Sequence, residues 1–383
     1  MSFRPIIGSL VLLCLSMISI TACESDDDDN DSADDDAAND DSADDDAVDD
    51  DVADDDTADD DTADDDTTDD DTADDDTASG FVVLTQFTGT SDHLARVDVP
   101  SGAWLTLVEM ENHLNIFPAV SPDGQTVVFN SNMHDPDPGV VFATMNYLMP
   151  AAGGEPQLLS DEDWHLVDEK VPVFSPDGTY IAYTRSHLSE PPAAMERIWF
   201  INVDGSDPHA LYPGDFESRN DSDPAFSPDD ETLAYWSDGD IFCGDIYLAD
   251  LTAEPRTRVR LTYSNLLDVT TNYSPFFDAT GEWVYFESSR NDGYGLYRVP
   301  IGGGEPQLVW DIGFSNTEPY IGAANYSQFR PASDYIGMVG VGVVNGTEQI
   351  VTFTNIAPVG DSSAVTTADL DCFNPYWWKP LAR

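Results

Sequence analysis

From residue 80 onward, short apolar runs alternate with polar turns. No stretch of eleven or more residues there repeats its apolar positions with the 3.6 period of a helix. The pattern predicts strands. Val171, Val173 and Phe174 end one apolar run, Ser175-Pro176-Asp177-Gly178 follows, and Tyr180-Ile181-Ala182-Tyr183-Thr184 forms a second run rich in β-branched and aromatic residues. Proline presets φ at the first corner of a tight turn. Aspartate can bond its own backbone at the second, and glycine accepts the left-handed conformation that follows. The segment reads as a β-hairpin, and turn chemistry accounts for Asp177 without a ligand.

The hairpin recurs. Related segments begin at Phe117 (FPAVSPDGQTVVFNS), Asp223 (DPAFSPDDETLAYWS), Tyr273 (YSPFFDATGEWVYFES) and, more degraded, Tyr326 (YSQFRPASDYIGMVG). The turn prolines or their substitutes, Pro122, Pro176, Pro228, Ala279 and Pro331, are 54, 52, 51 and 52 residues apart. Each hairpin is followed by a third strand (197–202, 245–249, 295–299) and a fourth (157–159, 258–261, 307–310). Four antiparallel strands per repeat of about 50 residues describe a propeller blade. The segment from Phe81 supplies strands two to four of a unit (81–87, 94–99, 104–109) without a first. Phe373-Asn374-Pro375-Tyr376-Trp377-Trp378-Lys379-Pro380 has the spacing of the missing one, with Pro380 lying 49 residues after Pro331. The expected fold is all-β: a six-bladed β-propeller of four-stranded antiparallel blades, closed by pairing of the N- and C-terminal strands. Closure removes the exposed edges that invite aggregation. Tyr376-Trp377-Trp378 could suggest carbohydrate stacking, but a first strand near the axis needs bulky side chains as core.

Ser-Pro-Asp-Gly before an apolar strand, then an Ile-Tyr or Leu-Tyr strand and a Gly-rich turn before Gln-Leu, resembles the Pro-Asp propeller repeats of TolB-like proteins. The resemblance covers nearly all of 81–383. It is specific at three copies and weaker near Ala279 and Pro331. It implies a non-enzymatic periplasmic or envelope propeller that binds other proteins. Related propellers are fused to prolyl-oligopeptidase-type hydrolases; no fusion is expected here, since the chain ends within the sixth turn motif.

Three regions are expected: 1–22, 23–80 and 81–383. In the first, Arg4 precedes an apolar run over 6–20, too short to span a membrane at ~20 residues and suited to a signal peptide. It ends Ile20-Thr21-Ala22-Cys23, which resembles a bacterial lipobox with Cys23 as the lipid attachment point. Several acyl chains hold a membrane far better than one. The second region carries 31 Asp and one Glu between positions 24 and 77. Such a tract cannot bury a core and repels itself, so it reads as an extended, disordered tether with a limit on the order of 180 Å. Calcium loops of the EF-hand type need a glycine at the bend and a terminal glutamate, which Ala-Asp-Asp-Asp-Thr repeats lack. Loose divalent-cation association is expected. A surface-export signal is an alternative use of acids directly after a lipidated cysteine. The expected location is the bacterial cell envelope, lipid-anchored at the outer membrane, on its periplasmic side or at the cell surface.

The net charge is −61, and from residue 81 onward 43 acids still face 13 bases. Nucleic-acid binding needs a basic stripe, so no nucleic acid is expected; a partner would be basic, cation-bridged or neutral. Besides Cys14 and Cys23, the chain has Cys243 and Cys372. An oxidising compartment permits a bridge between them, provided that long loops cross the channel mouth.

No G-x-S-x-G, H-E-x-x-H, C-x-x-C or phosphate loop occurs, and no catalytic residue, metal or cofactor is assigned. The loops between second and third strands and those between blades share one face. His93, His134 and His187 are placed in the former. His113 and His165 fall in the latter, with Glu111, Asp163, Arg219, Asn220 and Asp371. This face is the candidate ligand or partner surface; the plainer alternative is that the longest loops gather polar residues of every kind. Imidazoles with carboxylates could bind zinc, copper or manganese, but no close spacing supports that. The function expected is a monomeric, membrane-anchored scaffold that binds an envelope protein. The alternatives are a propeller enzyme acting on glycans or peptides, and a small-molecule or metal receptor using the histidine-rich face.

Overall fold

The computed structural model describes residues 80–135, 143–160, 167–188, 195–214, 219–239, 244–264, 270–290, 294–311, 326–335, 338–344, 347–353, 362–364 and 371–379. The signal peptide, Cys23, the Asp-rich tract, Asp163, His165 and Cys243 lie outside them. In chain order, the strands are β1 (Gly80–Phe87), β2 (Asp92–Val99) and β3 (Trp104–Val108); then β4 (Asn115–Val120), β5 (Thr126–Ser131), β6 (Met145–Pro150) and β7 (Gln157–Leu158). Next come β8 (Val167–Phe174), β9 (Tyr180–His187), β10 (Glu196–Asn202) and β11 (His209–Ala210), followed by β12 (Asp221–Phe226), β13 (Thr232–Ser237), β14 (Asp245–Asp250) and β15 (Arg258–Arg260). The last are β16 (Asn272–Phe277), β17 (Trp283–Ser288), β18 (Gly295–Pro300), β19 (Gln307–Asp311), β20 (Tyr326–Pro331), β21 (Met338–Val344), β22 (Thr347–Phe353), β23 (Ser362–Ala364) and β24 (Asp371–Trp378).

Among the described residues these strands form six four-stranded sheets. The architecture is an all-β propeller of four-stranded antiparallel blades. Five blades are single uninterrupted runs of chain, β4–β7, β8–β11, β12–β15, β16–β19 and β20–β23. The remaining sheet is composite, in the order β24-β1-β2-β3. Its closing pair runs antiparallel from Phe81↔Trp378 to Phe87↔Asp371. Each sheet packs on the next through its first strand, and β24 packs on both β4 and β20–β22. The core is therefore divided among the seams. Phe129 and Tyr147 fill one seam, Tyr183 and Ile201 a second, Phe226 and Tyr235 a third, and Phe286 and Tyr297 a fourth. Trp377 is 0% exposed at the seam with Ala332 and Val339, which is the core role expected of it.

A bulge repeats in the first strands. Pairing with the second strand breaks between Ile116/Ala119, Lys170/Val173, Ser222/Ala225 and Tyr273/Phe276. At each break, one residue has φ of 51–53° (Phe117, Val171, Asp223, Ser274), and each precedes a proline: Pro118, Pro172, Pro224 or Pro275. Asn374, with φ 50°, precedes Pro375 in β24. Proline cannot donate to a ladder, so it is tolerated at a sheet edge or a bulge; the first strand provides both. The first four bulge residues sit five positions before the turn residue aligned above, and Asn374 six before Pro380, so the repeat carries this device at near-constant spacing.

The turns take the chemistry read from them. Ser121 Oγ donates to Asp123 Oδ1 at 2.6 Å, and the same oxygen accepts the Gln125 amide at 2.9 Å. Ser175 with Asp177 repeats the contact at 2.6 Å. These aspartates are spent on their own turns.

Candidate functional site on the loop face

The seven residues before each turn proline set a second repeat, at the opposite end of the first strand. Asn115, Glu169, Asp221 and Asn272 stand seven positions ahead of Pro122, Pro176, Pro228 and Ala279. All four are buried and most reach into the preceding blade. Asn115 Nδ2 donates to Asp92 O at 2.8 Å. The Glu169 carboxylate accepts the Asn146 amide at 3.0 Å and the Ser160 hydroxyl at 3.3 Å. Asn272 Nδ2 donates to Asp245 Oδ1 at 3.0 Å. Asp221 instead holds Arg219, whose Nε donates to Oδ2 at 3.1 Å. Buried polar groups must be satisfied in this way or they cost stability.

Around Glu169 and Asp221 lies a charged network. Lys170 Nζ sits 2.9 Å from Asp168 Oδ2 and 3.1 Å from Glu196 Oε1. Burial opposes its charge, yet the two carboxylates outweigh that and raise its pKa. Burial pushes Glu196 up, against Lys170, and the neighbouring Asp223 and Asp168 add to the rise. The Glu196 amide donates to Asn220 Oδ1 at 3.0 Å, and Asn220 donates in turn to both oxygens of Asp238, at 2.7 Å from its amide and 2.6 Å from Nδ2. Burial raises Asp238 as well, against those Asn220 bonds. Arg197 donates through Nη1 to Glu196 O at 2.8 Å and also to Arg219 O. The network joins three blades and carries more acids than bases, so it favours a cation or a basic group at its surface.

Of the residues singled out in the sequence, this network gathers Arg219 and Asn220. The others among the described residues lie elsewhere. His113 precedes β4, with Nδ1 2.7 Å from Glu111 O, and its carbonyl accepts the Asp92 amide at 3.1 Å. The His134 ring lies 6.4 Å from Tyr147, nearly parallel to it, and His187 meets Trp199 edge-on at 6.2 Å. Three placements need correction. His93 lies within β2, His187 ends β9 and Asp371 opens β24, so none is a loop residue, and Cys372 follows Asp371 in β24. Gln86 pairs with both His93 and Cys372, and Phe87 with Asp371, because the ladders run to the tip of β1. Cys372 is 4% exposed within an apolar cluster that includes Leu84 and Trp377. Among the described residues, no group of three His, Cys, Asp or Glu side chains could hold a metal ion. Asp168, Lys170, Glu196, Asp223 and Asp238 were missed by reading motifs. The signal available for two of them was alignment: Asp168 and Lys170 flank the position seven before Pro176.

No family model matches the sequence. Solved structures share the fold. TolB from Acinetobacter baumannii superposes with a TM-score of 0.58 at 14% identity, over 79% of this chain and 68% of that one. A putative TolB from Agrobacterium tumefaciens gives 0.54 at 17%, over 79% and 94%. Puromycin hydrolase gives 0.52 at 14%, over 75% and 52%. At these identities the likeness is one of fold. The chain has a TolB-like β-propeller fold, which propellers of the enzyme class also use, and function has to be argued from the site.

Proposed function

We propose that this protein is a lipid-anchored scaffold of the bacterial cell envelope, a ring of six blades that binds a protein partner through its loop face without catalysing a reaction. The observation that carries this reading is where the chain enters the propeller. Gly80 opens β1 against the Trp378 carbonyl and shares a cleft of about 420 Å³ with Gly124 and Gln125, on the face of the Ser-Pro-Asp-Gly turns. Gly80 thus marks the turn face as the one where the described chain begins. The loop face, with its charged network, is at the other end of the strands. A charged tract extends by self-repulsion, which suits it to holding a binding surface off a membrane. The acid-rich network around Lys170 suits a basic partner surface.

The test has two arms. Metabolic labelling with a fatty acid is expected to label the chain, and Cys23→Ser to release it from the membrane fraction. Photo-crosslinkers placed at Glu111 and Asn220 in intact cells are expected to trap one envelope protein, while crosslinkers at Gly153 on the turn face do not. Absence of label, or equal capture from both faces, would overturn the reading.

A further inference from the structure

The seam between the β12–β15 and β16–β19 blades carries a second polar network of opposite balance. Asp245, which opens β14, is bound by Arg260 through Nη2, by Thr262 Oγ1 at 2.8 Å, by Ser264 Oγ at 2.9 Å and by Asn272 Nδ2 at 3.0 Å. Asn272 continues the chain, since its Oδ1 accepts Ser288 Oγ at 2.8 Å and Arg290 Nη2 at 2.7 Å. Arg290 Nε donates to Ser288 Oγ at 3.0 Å. Its guanidinium carbon lies 5.3 Å from the Phe286 ring centre and 5.1 Å from that of Tyr297. The network thus holds two arginines and one carboxylate, which pairs with Arg260 alone, and is net positive in a folded region where 43 acids face 13 bases.

Arg290 makes no ion pair with any described residue; its side-chain partners are a hydroxyl and an amide oxygen. Burial lowers its pKa, against the opposing fields of Tyr297, Asp245 and Glu305. Nη1 makes no hydrogen bond with any described residue, yet it is not among the buried, unsatisfied atoms, so it is solvent-accessible. Beside it in the same network, Arg260 lies 4.8 Å from the ring of Tyr263, which is 73% exposed.

We propose that this seam is a carboxylate-binding site for a small organic acid, with Arg290 as the anchoring group. The guanidinium is fixed by Ser288 and Asn272 and lies beside the stacked rings of Phe286 and Tyr297, so little freedom is lost when a ligand arrives. A planar fork with a solvent-facing edge suits a carboxylate, and a charge-assisted bond there supplies the counter-ion that the protein does not. Tyr263 offers an exposed ring for the ligand's apolar body.

The probe is sodium benzoate, titrated into the full-length chain at pH 7 against sodium chloride at matched ionic strength. Arginine Nε–H resonances and Tm are read together. The expected result is a saturable shift of one arginine signal and a rise in Tm beyond that with chloride. Arg290→Gln removes both responses, and Arg290→Lys, which keeps the charge without the fork, weakens binding at least tenfold. A second reporter, Tyr263→Ala, is expected to weaken benzoate more than acetate. A response no larger than that of chloride, or undiminished binding in both Arg290 variants, would overturn the proposal. Because the partner reading above is scored by crosslinking in cells, either can fail alone.

Discussion

Trp378 donates its indole Nε1–H to the carbonyl of Pro122 at 3.1 Å, across 256 positions of sequence. The same ring lies against Gly124, where an added Cβ would come within 2.4 Å of it, and stacks on Phe81 at 5.1 Å. The last strand is thus fastened to the turn of the neighbouring blade as well as to β1. Gly124 also has φ of 72°, which side chains tolerate poorly. Gly124→Ala is expected to destabilise by about 1–3 kcal/mol through overpacking and backbone strain. Trp378→Ala is expected to cost about 3–5 kcal/mol. Both are read as shifts in the urea midpoint.

Lys170 is expected to matter more for charge balance than for packing. Lys170→Met leaves Asp168 and Glu196 facing Asp223 without their cation, at a cost of about 3–5 kcal/mol near neutral pH. The pKa of Glu196 is already raised in the folded protein. A raised carboxylate destabilises the fold above its folded pKa, and protonation relieves that as pH falls. The deficit of the variant should therefore shrink on moving from pH 7 toward pH 4.5. A deficit that is constant with pH would refute this account.

The turn aspartates carry the opposite sign. The Ser121 hydroxyl and the Gln125 amide lower Asp123, and the Ser227 hydroxyl and the Glu231 amide lower Asp229. A depressed carboxylate stabilises the fold above its unfolded pKa, and that contribution is lost as pH falls through the folded pKa. Ser121→Ala is expected to lower stability by about 1 kcal/mol at pH 7, with wild type and variant converging in Tm below the pKa of a free aspartate, about 3.9.

Tyr180 donates its hydroxyl to Asp230 Oδ1 at 2.6 Å, bridging two blades through the one turn whose glycine is replaced by aspartate. Asp230 adopts φ of 63° there. Burial raises both groups, and their bond raises Tyr180 further while lowering Asp230. Tyr180→Phe strands a half-buried carboxylate and is expected to cost about 1–3 kcal/mol at pH 7. The cost should be smaller in Asp230→Gly than in wild type, which a double-mutant cycle measures.

Local chemistry determined much of this protein by itself. Ser-Pro-Asp-Gly sets its own turn through bonds two residues away, and alternation assigns each strand its period, so the blades and the pairing of 373–378 with 81–85 were legible as spacing. The three-region division and lipid attachment at Cys23 are proposals that rest on the sequence alone. Tertiary structure decided what depends on neighbours far along the chain. His93, Asp371 and Cys372 became strand residues because β1 pairs on both sides up to Phe87. Glu169 found Asn146 across 23 positions, and Asn272 found Asp245 across 27, because adjacent blades press first strands against the preceding sheet. A turn encodes its contacts within a few residues; a seam between sheets is defined only once both have folded, since its partners share no local spacing.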